Sequence, residues 1–424
     1  MNEELLHFLW KRMLFSQPLT DCVTGAKVEV LNPGQHNHDQ GPDFFDARIK
    51  IGDVTWAGNV EMHVKASDWQ KHHHQTDSRY DSIVLHVVWQ NDQPVCRASG
   101  ELIPTVELSC SDDMRQRYQY LMQTRDWLPC ESFVAKINSF VMAQWRQRLA
   151  IERIEDKTKV VAELFAATNN NWEETFYQLL ARTYGLKVNA EPFVLMAQSL
   201  PLNVVARHKH NRLQVEALVF GQAGLLPDNP TEEYTQLLVR EHTFLRHKYN
   251  LTPIDANVWK FARMHLSNTP PVRLAQFAAL IYESSSLMSK IVECEHIAEI
   301  KKYFDADISD YWHTHYNFGK ESKRAIKGIG NFTFNILVIN AIVPFMFYYA
   351  KSLAKPHLID RALSWLEQIL PEDNNIIRSW TNVGVECENA SDSQALIQLT
   401  NCYCKQRRCL HCAIGNQVMV HRFT

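Results

Sequence analysis

The chain has 424 residues, which exceeds what one compact core usually serves, so the sequence predicts at least two packed units. Hydrophobic residues make up 46% and charged residues 21% of the chain, and this ordinary globular composition argues against long disordered regions. The net charge of −3 argues against a large basic face, so a nucleic-acid contact would have to depend on a local basic patch.

The N-terminal segment MNEELLHFLWKRMLF predicts an amphipathic first helix, because its apolar residues recur at helical spacing. Two acidic residues precede the apolar run and no small-residue cleavage site follows it, so the segment does not resemble a secretory signal. The most apolar stretch, residues 332–350, contains Pro344 and predicts a buried core helix interrupted near that proline, in preference to a membrane span. We therefore expect a soluble, cytoplasmic protein without membrane contact.

Between about residues 27 and 108 the apolar residues alternate or form short runs, which predicts five strands. The strand segments are KVEVL, DARIKIG, VTWAGNVEMHV, DSIVLHVVW and IPTVEL. The pair Gly52-Asp53 separates two of them and indicates a hairpin. The segment DSIVLHVVW is apolar almost throughout, so it should be a central strand covered on both faces.

After Cys110 the apolar period becomes helical and largely stays so to the end of the chain. The predicted fold is therefore α+β, with an N-terminal mixed β-sheet α/β domain over residues 1–125. A larger all-helical region with a cysteine-rich C-terminus follows over residues 126–424.

Histidines and carboxylates are concentrated within the predicted sheet, and both residue types supply ligands that divalent metals accept. The cluster comprises His36, His38, Asp39, Asp43, Glu61, His63, Asp68, His72, His73, His74, Asp77 and His86. Side chains alternate along a strand, so Glu61, His63 and Lys65 should share one face. Two simpler interpretations stand beside a metal or acid–base site: His86 as a core histidine, and residues 72–74 as a solvated turn.

Several long blocks of this sequence resemble the bacterial domain of unknown function 2851 family. They are NPGQHNHDQGPDFFDARI, WAGNVEMHVKASDWQKHHHQTDSRYDSIVLHVVW, VEALVFGQAGLL, SDSQALIQL and CYCKQRRCLHCAIG. The resemblance covers nearly the whole chain, and it implies no reaction.

A weaker resemblance links Pro42-Asp43 at a strand entry and Glu61 on the next strand to the PD-(D/E)xK nuclease core. In that core the two carboxylates hold a divalent cation, so the resemblance implies Mg²⁺ or Mn²⁺ at Asp43 and Glu61. A lysine usually follows, whereas this chain has His63 there and Lys65 two residues later. We expect His63, with Asp68, His72 or His74, to complete the metal shell or act as base, and Lys65 to orient phosphate or water.

The terminal segment CYCKQRRCLHC has a spacing that can close one thiolate site. Structural zinc at Cys404, Cys409 and Cys412 is the leading interpretation, and plain thiols are the alternative without a metal. Some PD-(D/E)xK nucleases tether their chain ends with one upstream and three downstream cysteines around an iron–sulfur cluster. That resemblance implies Cys130 as the fourth ligand in place of Cys402.

The sequence thus favours a divalent-metal-dependent, nuclease-like phosphodiesterase with nucleic acid as its partner. The alternative is a non-catalytic scaffold that binds a ligand or nucleic acid and carries a structural metal site. Basic helical stretches such as WRQRLAIER and RHKHNRL are candidate phosphate contacts, although such a stretch is more often a solvated face. No Walker-type or Gly-x-Gly-x-x-Gly motif for nucleotides is present.

Overall fold

A computed structural model describes residues 2–420 and divides them into two compact units. Unit 1 comprises residues 2–145 and 399–420, and unit 2 comprises Arg146–Gln398. The C-terminal segment therefore belongs with the N-terminal sheet, whereas the division predicted at residue 125 had grouped it with the helical region.

Unit 1 is built on a seven-stranded mixed sheet. Its strands are β1 (Leu19–Thr20), β2 (Lys27–Asn32), β3 (Gln35–His36), β4 (Phe44–Ile51), β5 (Val54–Lys65), β6 (Ile83–Gln90) and β7 (Thr105–Glu107). The order is β1-β2-β4-β5-β6-β7, with β3 paired to β4. Neighbours from β1 to β5 are antiparallel, whereas β6 is parallel to β5 and β7 is parallel to β6. All five predicted strands are present, and β1 and β3 are short additions.

The predicted hairpin and the predicted central strand are both confirmed. Ile51 pairs with Val54 across the β4–β5 turn, where Gly52 has a φ of 59°, a conformation that glycine adopts without strain. Strand β6 lies between β5 and β7, and Leu85 and Val87 in it are fully buried. Burial of each such aliphatic side chain contributes about 1.5–3 kcal/mol, so β6 anchors the sheet.

Unit 1 also contains the helices α1 (Glu3–Arg12), α2 (Asp68–Lys71) and α3 (Asp112–Gln123), of which α1 and α2 pack against β5. The Asn2 side chain accepts a hydrogen bond from the Leu5 N–H and so caps α1, which packs against β5. The C-terminal helix Ala413–Val420 packs against α3, where Arg117 Nη1 donates to the Val418 carbonyl at 2.9 Å. The first and last parts of the described chain thus share one unit.

Unit 2 is mostly helical, which together with the mixed sheet confirms the predicted fold class. A small two-stranded sheet, His315–Asn317 with Lys320–Glu321, is an addition that the all-helical prediction missed. The long helix Ser139–Ala167 crosses the division between the units at residue 145. The other helices are Trp172–Tyr184, Ala190–Ser199, Leu202–Ala206, Arg212–Gln222, Glu233–Tyr249, Pro270–Glu283, Leu287–Glu293, Ile297–Lys302, Asp310–Thr314, Asn331–Leu337, Val343–Ser352, Pro356–Glu367, Asn375–Asn382 and Ala390–Gln398.

Within residues 2–420, one continuous helix, Asn331–Ser352, is long and apolar enough to cross a membrane. Inside the structure, however, 61% of its most apolar window is buried, as expected for a core helix. The interruption predicted near Pro344 is a π-helical turn over Val338–Ile342, immediately before the proline. Proline lacks the N–H that a regular helical turn requires, which accounts for the local change.

Candidate functional site

Two carboxylates lie side by side where β4 begins. Asp43 directly precedes β4, and Glu61 lies on the antiparallel neighbour β5, with Phe44 paired to Val60. The Asp43 N–H donates to Glu61 Oε2 at 3.1 Å, and the Met62 N–H donates to Asp43 Oδ2 at 2.9 Å. These two hydrogen bonds fix each carboxylate against the other strand's backbone.

Three histidines converge on this pair. His74 Nε2 lies 3.2 Å and His63 Nε2 lies 3.8 Å from Glu61 Oε1, while His63 Nε2 lies 3.1 Å from His72 Nδ1. Each of these three histidines offers a ring nitrogen, and the three nitrogens lie within 4.8 Å of one another. Among the residues described, 2–420, no other group of three His, Cys, Asp or Glu residues is this tight.

A local turn places two neighbouring histidines at the same site. His73 has a φ of 61°, in the left-handed region, so the chain reverses between the end of α2 and the 3₁₀ turn His74–Thr76. As a result, His72 and His74 both approach His63, whereas His73 is exposed. The run of three histidines is therefore a structured turn with two members at the cluster.

The site runs from the buried sheet to the surface. His63 and Glu61 are only 1% and 5% exposed, whereas His74 is partly buried and His72 is exposed. The Tyr80 ring stacks on His74 with centroids 3.8 Å apart, and buried Trp69 packs edge-on against His74. The walls are thus rigid, and a ligand can enter from the side of His72.

His63 is held from behind by a second buried histidine. His63 Nδ1 lies 2.9 Å from Nε2 of His86 on the parallel strand β6, and His86 is fully buried. The arrangement leaves His63 Nε2 directed toward the site. A hydrogen-bonded partner of this kind fixes the orientation and tautomer of a metal-binding imidazole.

Burial controls the protonation of the cluster. Burial, together with the charge of Asp43, raises the pKa of Glu61 to about 9. Burial lowers the pKa of His63 to about 2 and that of His86 to about 3, and neighbouring histidines add to the effect on both. The rings of His63 and His86 are therefore neutral at neutral pH, the form in which an imidazole can bind a metal, while Glu61 holds a proton that a bound cation would displace.

The remaining predicted residues lie at the edge of the site. Lys65 is exposed at the end of β5, two residues beyond His63. Asp68 accepts a hydrogen bond from the Lys65 N–H and forms an ion pair with Lys71, so it is engaged away from the histidine group. Of the three residues expected to assist His63, the structure brings His72 and His74 to it.

His7 was missed by the sequence interpretation. It lies on α1, with Nε2 3.2 Å from Asp43 Oδ2, and this contact raises its pKa although burial opposes the shift. The sequence feature that could have identified His7 is its position as the one polar residue within the apolar segment LLHFLW, whose other residues are mostly buried. His36 and His38 lie beyond it, and the His36 ring contacts both His7 and His38.

The cysteines predicted as a metal site also lie in unit 1. Cys404, Cys409, Cys412 and Cys130 are each 6% exposed, whereas Cys402 is only partly buried. Cys130 is thus as buried as the terminal three, although it precedes them by more than 270 residues in sequence.

A family model described as "Protein of unknown function (DUF2851)" matches residues 3–375. The match includes the carboxylates and histidines of the site and ends before Cys404. No curated protein and no solved structure matches the chain. Because the matched region spans well over half of its length, the chain belongs to the DUF2851 family of proteins of unknown function.

Proposed function

We propose that this protein is a divalent-metal-dependent phosphodiesterase that acts on nucleic acid, with its metal bound by His63, His72 and His74 beside Glu61. One observation carries the proposal: three imidazole nitrogens converge within 4.8 Å next to two carboxylates, each of which accepts a hydrogen bond from a backbone N–H of the neighbouring segment. Buried polar groups are costly to retain, and a cation would satisfy these together.

The donor set favours particular metals. Mg²⁺ prefers oxygen ligands and keeps its waters, imidazole suits Zn²⁺ and Fe²⁺, and Mn²⁺ suits the carboxylates beside the imidazoles. We therefore expect Mn²⁺ or Zn²⁺ to bind more tightly than Mg²⁺. When bound, such a metal would supply Lewis acidity toward a phosphate oxygen and lower the pKa of a coordinated water.

The protein's own groups have distinct tasks in this proposal. His86 accepts the Nδ1–H of His63, so that His63 presents Nε2 as a ligand atom. Glu61 is held by the Asp43 N–H through Oε2, and its Oε1 is directed toward His74 and His63. Once a cation has displaced its proton, Glu61 is placed to bind the metal or to accept a proton from water.

The phosphodiester assignment rests on the two carboxylates. Asp43 at the entry to β4 and Glu61 on the neighbouring strand β5 support this assignment, because the nuclease resemblance likewise has its two carboxylates on adjacent strands. The lysine of that pattern is replaced by His63, while the exposed Lys65 lies on the same strand and is accessible to a phosphate. Histidine as an additional ligand is consistent with Mn²⁺ or Zn²⁺ in place of Mg²⁺ in the same phosphodiester hydrolysis.

The test combines metal binding with activity. The purified protein, first stripped with chelator, is titrated with Mn²⁺, Zn²⁺ and Mg²⁺ by calorimetry and then incubated with single- and double-stranded DNA and RNA. We expect one site per chain, tightest for Mn²⁺ or Zn²⁺, and metal-dependent cleavage of at least one substrate. Cleavage that survives Asp43→Ala and Glu61→Ala would overturn the assignment.

Two neighbouring histidines provide a matched control. His72→Asn removes a nitrogen from the cluster, whereas His73→Asn changes an exposed residue whose positive φ asparagine tolerates. We expect weaker metal binding for His72→Asn only. Equal loss in both variants would indicate that the turn, and not a ligand, had been disturbed.

A binding scaffold with a structural metal site is the second candidate. It is favoured by the internal contacts of Asp43, whose Oδ2 accepts from Met62 and lies beside His7. Metal binding with nucleic-acid association but no cleavage would support this alternative.

A further inference from the structure

Four buried cysteines of unit 1 form a second cluster, which is independent of the histidine site. Each is 6% exposed, and they come from two distant segments: Cys130 near the end of the N-terminal part, and Cys404, Cys409 and Cys412 in the C-terminal part. The six other cysteines are distributed over both units. Packing alone rarely needs four buried thiols in one place.

Specific contacts join the two segments. Arg407 Nη2 donates to the carbonyls of Thr124 and Asp126, at 2.7 and 3.0 Å, and so ties the terminal loop to the residues before Cys130. Gly415 packs so closely on Cys409 that an added Cβ would lie 2.1 Å from the Cys409 carbonyl oxygen. The loop is thereby held in one conformation against the start of the last helix.

The thiols interact with one another electrostatically. Burial raises the pKa of Cys404 well above its usual range, and the nearby thiols of Cys412, Cys130 and Cys409 raise it further. The pKa of Cys130 is likewise raised by burial and then by Cys412 and Cys409. Cys130 is therefore close enough to the three terminal thiols to interact with them, in agreement with the hydrogen bonds of Arg407 to the Thr124 and Asp126 carbonyls.

The spacing of the sulfurs distinguishes between metal centres. A single tetrahedral Zn²⁺ with Zn–S bonds of about 2.3 Å needs its sulfurs about 3.8 Å apart. Within residues 2–420, however, no three of the four sulfurs lie within 4.8 Å of one another, in contrast to the three histidine nitrogens. In an iron–sulfur cluster the four cysteines are divided among different irons, so their sulfurs spread more widely.

We propose that Cys130, Cys404, Cys409 and Cys412 bind an iron–sulfur cluster. The cluster would replace the protons of four buried thiols and join the segment around residue 130 to the terminal loop. Its ligand Cys130 lies outside the CYCKQRRCLHC motif, which is why spacing alone does not define the site.

The test is the metal content of the full-length protein, purified without oxygen and without chelator. We expect iron and acid-labile sulfide in equal amounts, together with visible sulfide-to-iron charge-transfer absorption. Zinc without sulfide would overturn the cluster, and the absence of both metals would overturn the site. These measurements need no variant, so a failure of any variant to fold leaves the result intact.

Variants then identify the ligands. Cys130→Ser should lose iron and sulfide together, whereas Cys402→Ser, at a partly buried position within the same terminal motif, should retain the wild-type content. Circular dichroism verifies that both variants fold. Equal iron content in the two variants would exclude Cys130 as a ligand.

Discussion

Nδ1 of His63 and Nε2 of His86 lie 2.9 Å apart across the parallel strands β5 and β6, and both rings are buried. One ring must donate the shared proton and the other must accept it, so the tautomers of the two residues are linked. The other nitrogen of His63, Nε2, lies 3.1 Å from His72 Nδ1. The tautomer of His86 therefore determines whether the His63 nitrogen at the candidate metal site carries a proton.

Replacement of His86 by phenylalanine should weaken metal binding without removing a ligand. Loss of a partner that orients a metal-binding histidine typically reduces affinity about 10–100-fold. His86→Gln should recover part of this loss, because its side-chain oxygen can accept the His63 Nδ1–H. Calorimetric titration with Zn²⁺ measures the effect, and an unchanged affinity for His86→Phe would show that the His63 orientation does not depend on His86.

The metal-free protein should lose stability as the pH falls below about 6.5. His63 and His86 have folded-state pKa values of about 2 and 3, so below pH 6.5 the unfolded chain binds more protons than the folded protein. Each of the two residues therefore lowers the free energy of unfolding by up to about 1.4 kcal/mol for each pH unit below 6.5. Glu61 acts in the opposite direction, because its pKa rises from 4.5 to about 9 on folding and its contribution declines between those values.

Together these three groups place the maximum stability of the metal-free protein near pH 6.5. Urea unfolding across pH 4 to 9 measures the profile, and His86→Phe should flatten its acidic limb. A wild-type stability that rose steadily toward pH 4 would contradict the buried, neutral state of both histidines.

Glu61→Gln should separate the structural from the chemical role of this carboxylate. Glu61 is protonated at pH 7 in the metal-free protein, and glutamine can still accept the Asp43 N–H, so the free energy of unfolding should change by less than about 1 kcal/mol. Metal-dependent cleavage should fall by roughly 10²–10⁴-fold, because the amide cannot accept a proton. A nuclease assay and urea unfolding of the same sample give both quantities, and full activity would remove Glu61 from the chemistry.

Gly221→Ala should destabilise unit 2. A Cβ at this position would lie 2.0 Å from the His242 ring, where the helices Arg212–Gln222 and Glu233–Tyr249 pack together. Overpacking of this kind costs about 1–3 kcal/mol. Gly328→Ala is the control, since its Cβ would meet nothing within 4 Å. Thermal unfolding of both variants measures the difference, and equal midpoints would mean that His242 moves aside freely.

The sheet and part of the site follow from local sequence patterns. Period-two alternation put Glu61 and His63 on one side of β5, and the apolar run around His86 indicated the central strand next to it. These features depend only on the strand's own residues and its burial. A strand is predicted most accurately where an alternating pattern of this kind is long and regular.

The rest of the site depends on tertiary packing. His7 approaches Asp43 because α1 packs on β5, and no spacing within either segment encodes that contact. His72 and His74 reach His63 because His73 adopts a positive φ, and a run of histidines in a sequence does not predict that conformation. Cys130 has no motif of its own, so local spacing does not predict it, and only the nuclease resemblance implied it as a ligand.

The helical unit is encoded between two parts of the sheet unit, since Arg146–Gln398 separates residues 2–145 from residues 399–420. During synthesis, the ribosome must therefore finish the helical unit before it delivers the helix Ala413–Val420 that packs against α3. Until then the nascent chain carries Cys130 without its three companions. The cysteine cluster can thus assemble only on a chain whose translation has passed Cys412.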